Sequence, residues 1–124
     1  MSEHTIYEIE QLKHWIQDGI VHGVYKRDGI ITLDVAKQII SLRLGMQNGE
    51  IHPAIAYLSE SHIITPAARK YFAKEAYIGL TKMAVIVNSK MKSNFLNIYI
   101  LIDKPVKPTR VFTNKEEAIK WLKS

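Results

Sequence analysis

The chain has 124 residues, 47% of them apolar, which is the length of one domain and enough apolar material for a single core without covalent staples. It has no cysteine, which excludes disulfides and thiolate-held zinc or iron-sulfur clusters, and no run approaches the roughly 18 uninterrupted apolar residues of a membrane helix. The net charge of +5 is uneven, with 5 Lys or Arg against 8 Asp or Glu in residues 1–60 and 12 against 4 in residues 61–124, but the bases lack the interleaved aromatics of single-strand binders and read as a solvated face, not a nucleic-acid interface.

The opening MSEHTIYEIE is acidic and has no basic stretch leading into an apolar run, so no signal peptide is expected and a cytoplasmic protein is the reading. Residues 5–17 alternate around Ile6, Ile9, Leu12, Trp15 and Ile16, which suits a strand. Asp18-Gly19 separates this run from IVHGVYK at 20–26. An Asp-Gly pair between half-apolar runs predicts a hairpin, because both central positions tolerate positive φ. Arg27-Asp28-Gly29 is a second turn. Leu33, Ala36, Ile39, Ile40 and Leu44 then recur at helical spacing, predicting an amphipathic helix of about three turns, capped by Thr32 and stopped at Asn48-Gly49.

Pro53 introduces AIAYL, a run apolar enough to be a strand covered on both faces in a parallel sheet. Thr65 followed by Pro66 is a helix start: the hydroxyl accepts an orphan amide, and proline loses nothing at the first helical position. The predicted helix covers 66–78, with Ala68, Phe72, Ala76 and Leu80 inward and Gly79 near its end. Lys82 to Ser89 predicts another strand. A third helix is expected over 90–102, with Met91, Phe95, Ile98 and Ile102 on one side. TRVF at 109–112 is a last strand, and Thr113 with Glu116 reads as a capping box for a helix that turns Ala118, Trp121 and Leu122 inward. The expected order is β-β-α-β-α-β-α-β-α over a single domain, 1–124, which predicts a mixed, mostly parallel sheet covered by helices.

Chemistry-bearing motifs are absent from the pattern. The histidines (His4, His14, His22, His52, His62) show no metal-ligand spacing, Ser59, Ser61 and Ser89 lie in no nucleophile elbow, and the glycines form no phosphate-cradling loop. No catalytic, cofactor-binding or metal-ligating residue is assigned. Tyr71 and Tyr77 are the aromatic side chains of the 66–78 helix that fall off its apolar face.

The strand, joint and helix over 54–80, with the β-β-α opening, resemble the fold of anti-sigma-factor antagonists and their STAS and SpoIIAA-like relatives. ARKYFAKE at 68–75, MAVIVNS at 83–89 and TRVFTNKEEAIKWL at 109–122 resemble a group of small, uncharacterised bacterial STAS-like proteins of this length. In regulatory members an Asp-Ser motif stands at the start of the second helix, and a partner kinase phosphorylates the serine. That pattern places Thr65 at the aspartate and Pro66 at the serine, so the resemblance implies the frame without its phosphoacceptor serine.

The resemblance implies a non-enzymatic module that works by binding a protein partner or itself, needs no cofactor and does not insert in a membrane. Its contact surface is expected at the joint and the following helix: Ser59, Glu60, Ser61, His62, Thr65, Pro66, Arg69 and Lys70. The alternative is a small-molecule or lipid carrier related to CRAL-TRIO domains, which needs an apolar cavity of at least ~300 Å³.

Overall fold

The computed structural model describes residues 5–26, 29–58, 62–90 and 103–124. The 5–17 run is two strands, β1 (Tyr7–Glu8) and β2 (Leu12–Gln17), paired antiparallel. A tight turn joins them, in which the Ile9 amide donates to the Leu12 carbonyl at 2.9 Å. The Asp-Gly hairpin forms as expected: Asp18 and Gly19 both take positive φ, 54° and 73°, and β2 pairs antiparallel with β3 (Ile20–Tyr25).

After β4 (Gly29–Ile31), α1 spans Leu33–Gln47, 15 residues and four turns instead of the expected three. Its ends are the expected ones. Thr32 accepts from the Val35 amide, and Asn48 turns left-handed at φ 49° ahead of Gly49 at φ 85°. β5 (His52–Tyr57) starts earlier than expected and carries Pro53 inside it. The register with β7 slips between His52 and Ala54, where proline has no amide to give the ladder.

The joint before Thr65 contains an unexpected strand, β6 (His62–Ile64), which pairs in parallel with β4 as a separate two-stranded sheet. Three-residue strands are too short to show alternation, which is why neither was predicted. Thr65 caps α2 (Pro66–Lys74), its hydroxyl accepting from the Ala68 amide at 3.2 Å. This helix is shorter than expected: a 3-10 turn, Glu75–Tyr77, and Gly79 at φ 80° follow it, and Leu80 belongs to β7 (Leu80–Ile86). Of the helix expected over 90–102, residues 91–102 lie outside the described residues. β8 (Thr109–Phe112) is where TRVF predicted it. The final helix α3 (Lys115–Leu122) is capped by Asn114, which accepts from the Glu117 amide at 2.9 Å, so the capping role falls one residue after Thr113.

The main sheet runs β1-β2-β3-β5-β7-β8, antiparallel over its first three strands and parallel from β3 to β8. Strand alternation divides it into two faces, with the irregularity of β7 between Leu80 and Met83 resetting the alternation there. Ile20, Ile55, Ala84 and Phe112 pack under α3 with Ala118 and Leu122. Leu12, Val21, Ala54 and Leu80 face the other way, toward α1, α2 and the 3-10 turn. This is the mixed, mostly parallel α/β architecture that the sequence predicts, with the short strands β1, β4 and β6 added.

Candidate functional site

Between the α1/α2 side of the sheet and the helices lies a cavity of about 440 Å³. Small residues make it. Gly23, Ala54 and Ala56 alternate onto its floor, with Gly23 and Ala56 direct neighbours across β3 and β5, and Ala73 and Ala76 form part of the opposite wall. Among the described residues, larger apolar side chains line the rest: Ile39 and Ile40 from α1, Phe72 from α2, Met83, Val85 and Val111 from the sheet, and Leu58, Ile63 and Ile64 beside the joint. A void this size is in the range of small-molecule sites, and its walls are the apolar kind such sites use.

The polar groups on this wall are few and buried. Arg43 is 2% exposed and reaches from α1 to the loop after α2. Its Nη1 donates to Gln47 Oε1 at 2.5 Å, and its Nη2 donates to the Ala76 and Ile78 carbonyls at 2.6 and 3.0 Å. Gln47 extends the clamp, donating to the carbonyls of Glu50 and Gly79. Burial lowers the Arg43 guanidinium to about 10, and the nearby Tyr71 phenol opposes that shift. A guanidinium keeps its charge there at neutral pH.

His14, on β2, is 5% exposed. It sits beside Gly23, where a Cβ would come within 3.0 Å of its ring, so the glycine makes room for the imidazole. Burial holds His14 down at about 4; the backbones of His22 and Ile39 pull weakly upward, while the charge of Arg43 reinforces the lowering. The ring is therefore neutral at pH 7. Burial also raises the phenols of Tyr25 and Tyr77, and Tyr77 bonds to the Thr109 hydroxyl. At the α2 side, Arg69 Nε donates to Asp103 Oδ2 at 2.5 Å.

The residues expected to contact a partner are spread over several settings. Ser59, Glu60 and Ser61 lie outside the described residues, and of His62 only the backbone in β6 is described. Thr65 is occupied as a cap, Pro66 and Lys70 are exposed, and Arg69 faces the cavity in its pair with Asp103. Beside them, Ile30 and Ile63 are register neighbours in the β4–β6 sheet and stand 58% and 63% exposed.

The cavity was not among the sequence expectations for any named residue. Its signal was present as small residues at alternate strand positions, Ala54 and Ala56 beside Gly23. AIAYL reads as simply apolar unless side-chain volume is considered along with polarity. On the opposite side of the sheet His22 stacks between Trp15 and Tyr57, with ring centroids 5.0 and 6.0 Å away, and its Nδ1 lies 3.2 Å from the Tyr57 hydroxyl. Among the described residues no group of three or more His, Asp or Glu is placed to hold a metal ion, and no helix is long and apolar enough to cross a membrane.

Residues 14–124 match a family model described as Domain of unknown function (DUF7793). The chain belongs to the DUF7793 family. The DUF7793 fold is similar to the crystal structure of an uncharacterized protein of the DUF3478 family with a SpoIIAA-like fold from Shewanella loihica PV-4. The two superpose with a TM-score of 0.62 at 16% sequence identity, over 98% of this chain and 97% of that one. At that identity the likeness establishes a SpoIIAA-like fold for the DUF7793 chain, in agreement with the resemblance read from its sequence. A search of curated proteins found no match.

Proposed function

We propose that this protein is a non-enzymatic binding module that takes a small apolar ligand between its sheet and α2. The observation that carries the reading is the cavity of about 440 Å³ floored by Gly23, Ala54 and Ala56, since a core this size that needed only stability would close such a hollow with larger side chains. Among the described residues no pair of side chains on its wall has the nucleophile-and-base arrangement that group transfer needs, and His14, Tyr25 and Arg43 are each held in one protonation state at neutral pH. That supports binding without turnover.

The test is titration with a fluorescent polyene fatty acid. The wild type should bind one equivalent saturably, and Ala56→Phe, which fills the floor opposite Gly23, should lose that binding while keeping its far-UV spectrum. Absence of saturable binding to the wild type, or unchanged binding to Ala56→Phe, would overturn the reading.

A second reading, contact with a protein partner or a second copy of the chain, is favoured by Ile30 and Ile63. Two exposed isoleucines side by side on a two-stranded sheet form an apolar patch next to the joint and the exposed Pro66 and Lys70. It would use the surface from Ser59 to Lys70, without a phosphoacceptor serine at position 66. Sedimentation velocity across a concentration series tests self-association: an Ile63→Lys-sensitive dimer supports it, and a monomer throughout counts against it.

A further inference from the structure

Two buried groups on the cavity wall have hydrogen-bonding capacity that the described residues do not take up. A guanidinium has five N–H groups, and among the described residues Arg43 donates three of them, to Gln47, Ala76 and Ile78. No carboxylate lies within ion-pair distance of it among the described residues, whereas the other cavity arginine, Arg69, has Asp103. His14 Nδ1 lies 3.2 Å from the His22 carbonyl. A carbonyl only accepts, so the proton is on Nδ1 and Nε2 is a bare acceptor. That Nε2 is fully enclosed and makes no well-formed hydrogen bond among the described residues, the Ile39 carbonyl pulling on the ring only weakly.

Each feature is costly alone: a buried cation with no counter-charge and a buried acceptor with no donor among the described residues. Both side chains line the same cavity, and the Arg43 charge disfavours protonation of His14. A ligand that completed both would need one polar end that accepts from Arg43 and donates to His14.

Building on the cavity reading, we propose that the ligand is an amphipathic monocarboxylic acid whose carboxyl group sits between Arg43 and His14, with its tail along Gly23, Ala56, Phe72 and Val85. One carboxyl oxygen accepts from the guanidinium, and the acid O–H donates to His14 Nε2, which is the same composition as a carboxylate facing an imidazolium. The alternatives fit less well. An alcohol has a single oxygen and cannot accept from Arg43 and donate to Nε2 through separate atoms, a phosphate brings more negative charge and more acceptors than the site's donors can take, and an amine is repelled by the arginine.

The test is displacement of diphenylhexatriene, a neutral apolar probe, by dodecanoic acid, dodecan-1-ol and methyl dodecanoate. The acid should displace it about tenfold more tightly than the other two, as expected for gaining a hydrogen bond to a charged group. Arg43→Met should erase that preference. Because Arg43 also clamps the turn after α2, His14→Leu serves as a second variant that leaves the clamp in place and should reduce the preference as well. If the three ligands displace the probe equally, or if the acid preference survives in both variants, the carboxyl assignment is overturned while the cavity reading stands. If the probe does not bind at all, the cavity reading fails and takes this assignment with it.

Discussion

His14 makes the fold acid-labile in a way that can be isolated. Burial lowers its imidazole from 6.5 to about 4, so between those values the unfolded chain takes up a proton that the folded chain refuses. Stability is therefore fully present above pH 6.5 and is lost as the pH falls through the folded value. The gap is worth about 3 kcal/mol at ~1.36 kcal/mol per pH unit. The assay is urea unfolding, followed by far-UV circular dichroism, at several pH values from about 7 to about 4, on the wild type and on His14→Gln. Glutamine can still donate to the His22 carbonyl but does not titrate. The rest of the chain is the same in both proteins, so the difference between the two curves isolates His14. The wild type should lose about 3 kcal/mol more than the variant across the window. Parallel curves would refute the claim that His14 is buried and neutral.

Thr65→Ala removes the acceptor of the Ala68 amide and should cost ~1 kcal/mol in urea unfolding, with Thr65→Ser sparing most of it. Trp121→Ala should cost about 2 kcal/mol, less than the value for a fully buried ring, because the indole is half-exposed and packs on Phe112 at 5.8 Å with Lys82 over it at 4.7 Å; an unchanged melting temperature would show that α3 is not docked by this ring. Gly79→Ala should cost about 1–2 kcal/mol, since φ is 80° and the added Cβ meets Gln47 and Leu44 at 3.4 Å; a neutral effect in the same unfolding assay would mean that the turn after α2 is not constrained as described.

Much of the frame was legible because its signals are local. Asp18-Gly19, Thr32, Asn48-Gly49 and Thr65-Pro66 each act through backbone geometry within a few residues, and each does in the fold what its sequence position predicted. The misses arose where neighbours in space decide the outcome. β4 and β6 exist because Gly29–Ile31 and His62–Ile64 meet each other, and no period over three residues announces that. The last helix is capped by Asn114 instead of Thr113, a choice between two competent side chains that the chain's exit from β8 settles.

The site was less legible than the fold. The resemblance directed attention to the joint at Thr65-Pro66, and there the residues make a helix start. The groups with unused capacity are elsewhere. Arg43 stands on α1 with no motif around it, and His14 is one histidine of five whose room depends on Gly23 on the neighbouring strand.

The central claim is that the hollow between the sheet and α2 is a binding site, and an amide chemical-shift titration with dodecanoic acid tests it most directly. The account predicts saturation at one equivalent, with the largest shifts at Gly23, Ala54, Ala56, Phe72 and Val85 and little change at Ile20, Ala84 and Ala118 under α3. Shifts centred under α3, or no saturable shifts at all, would contradict it.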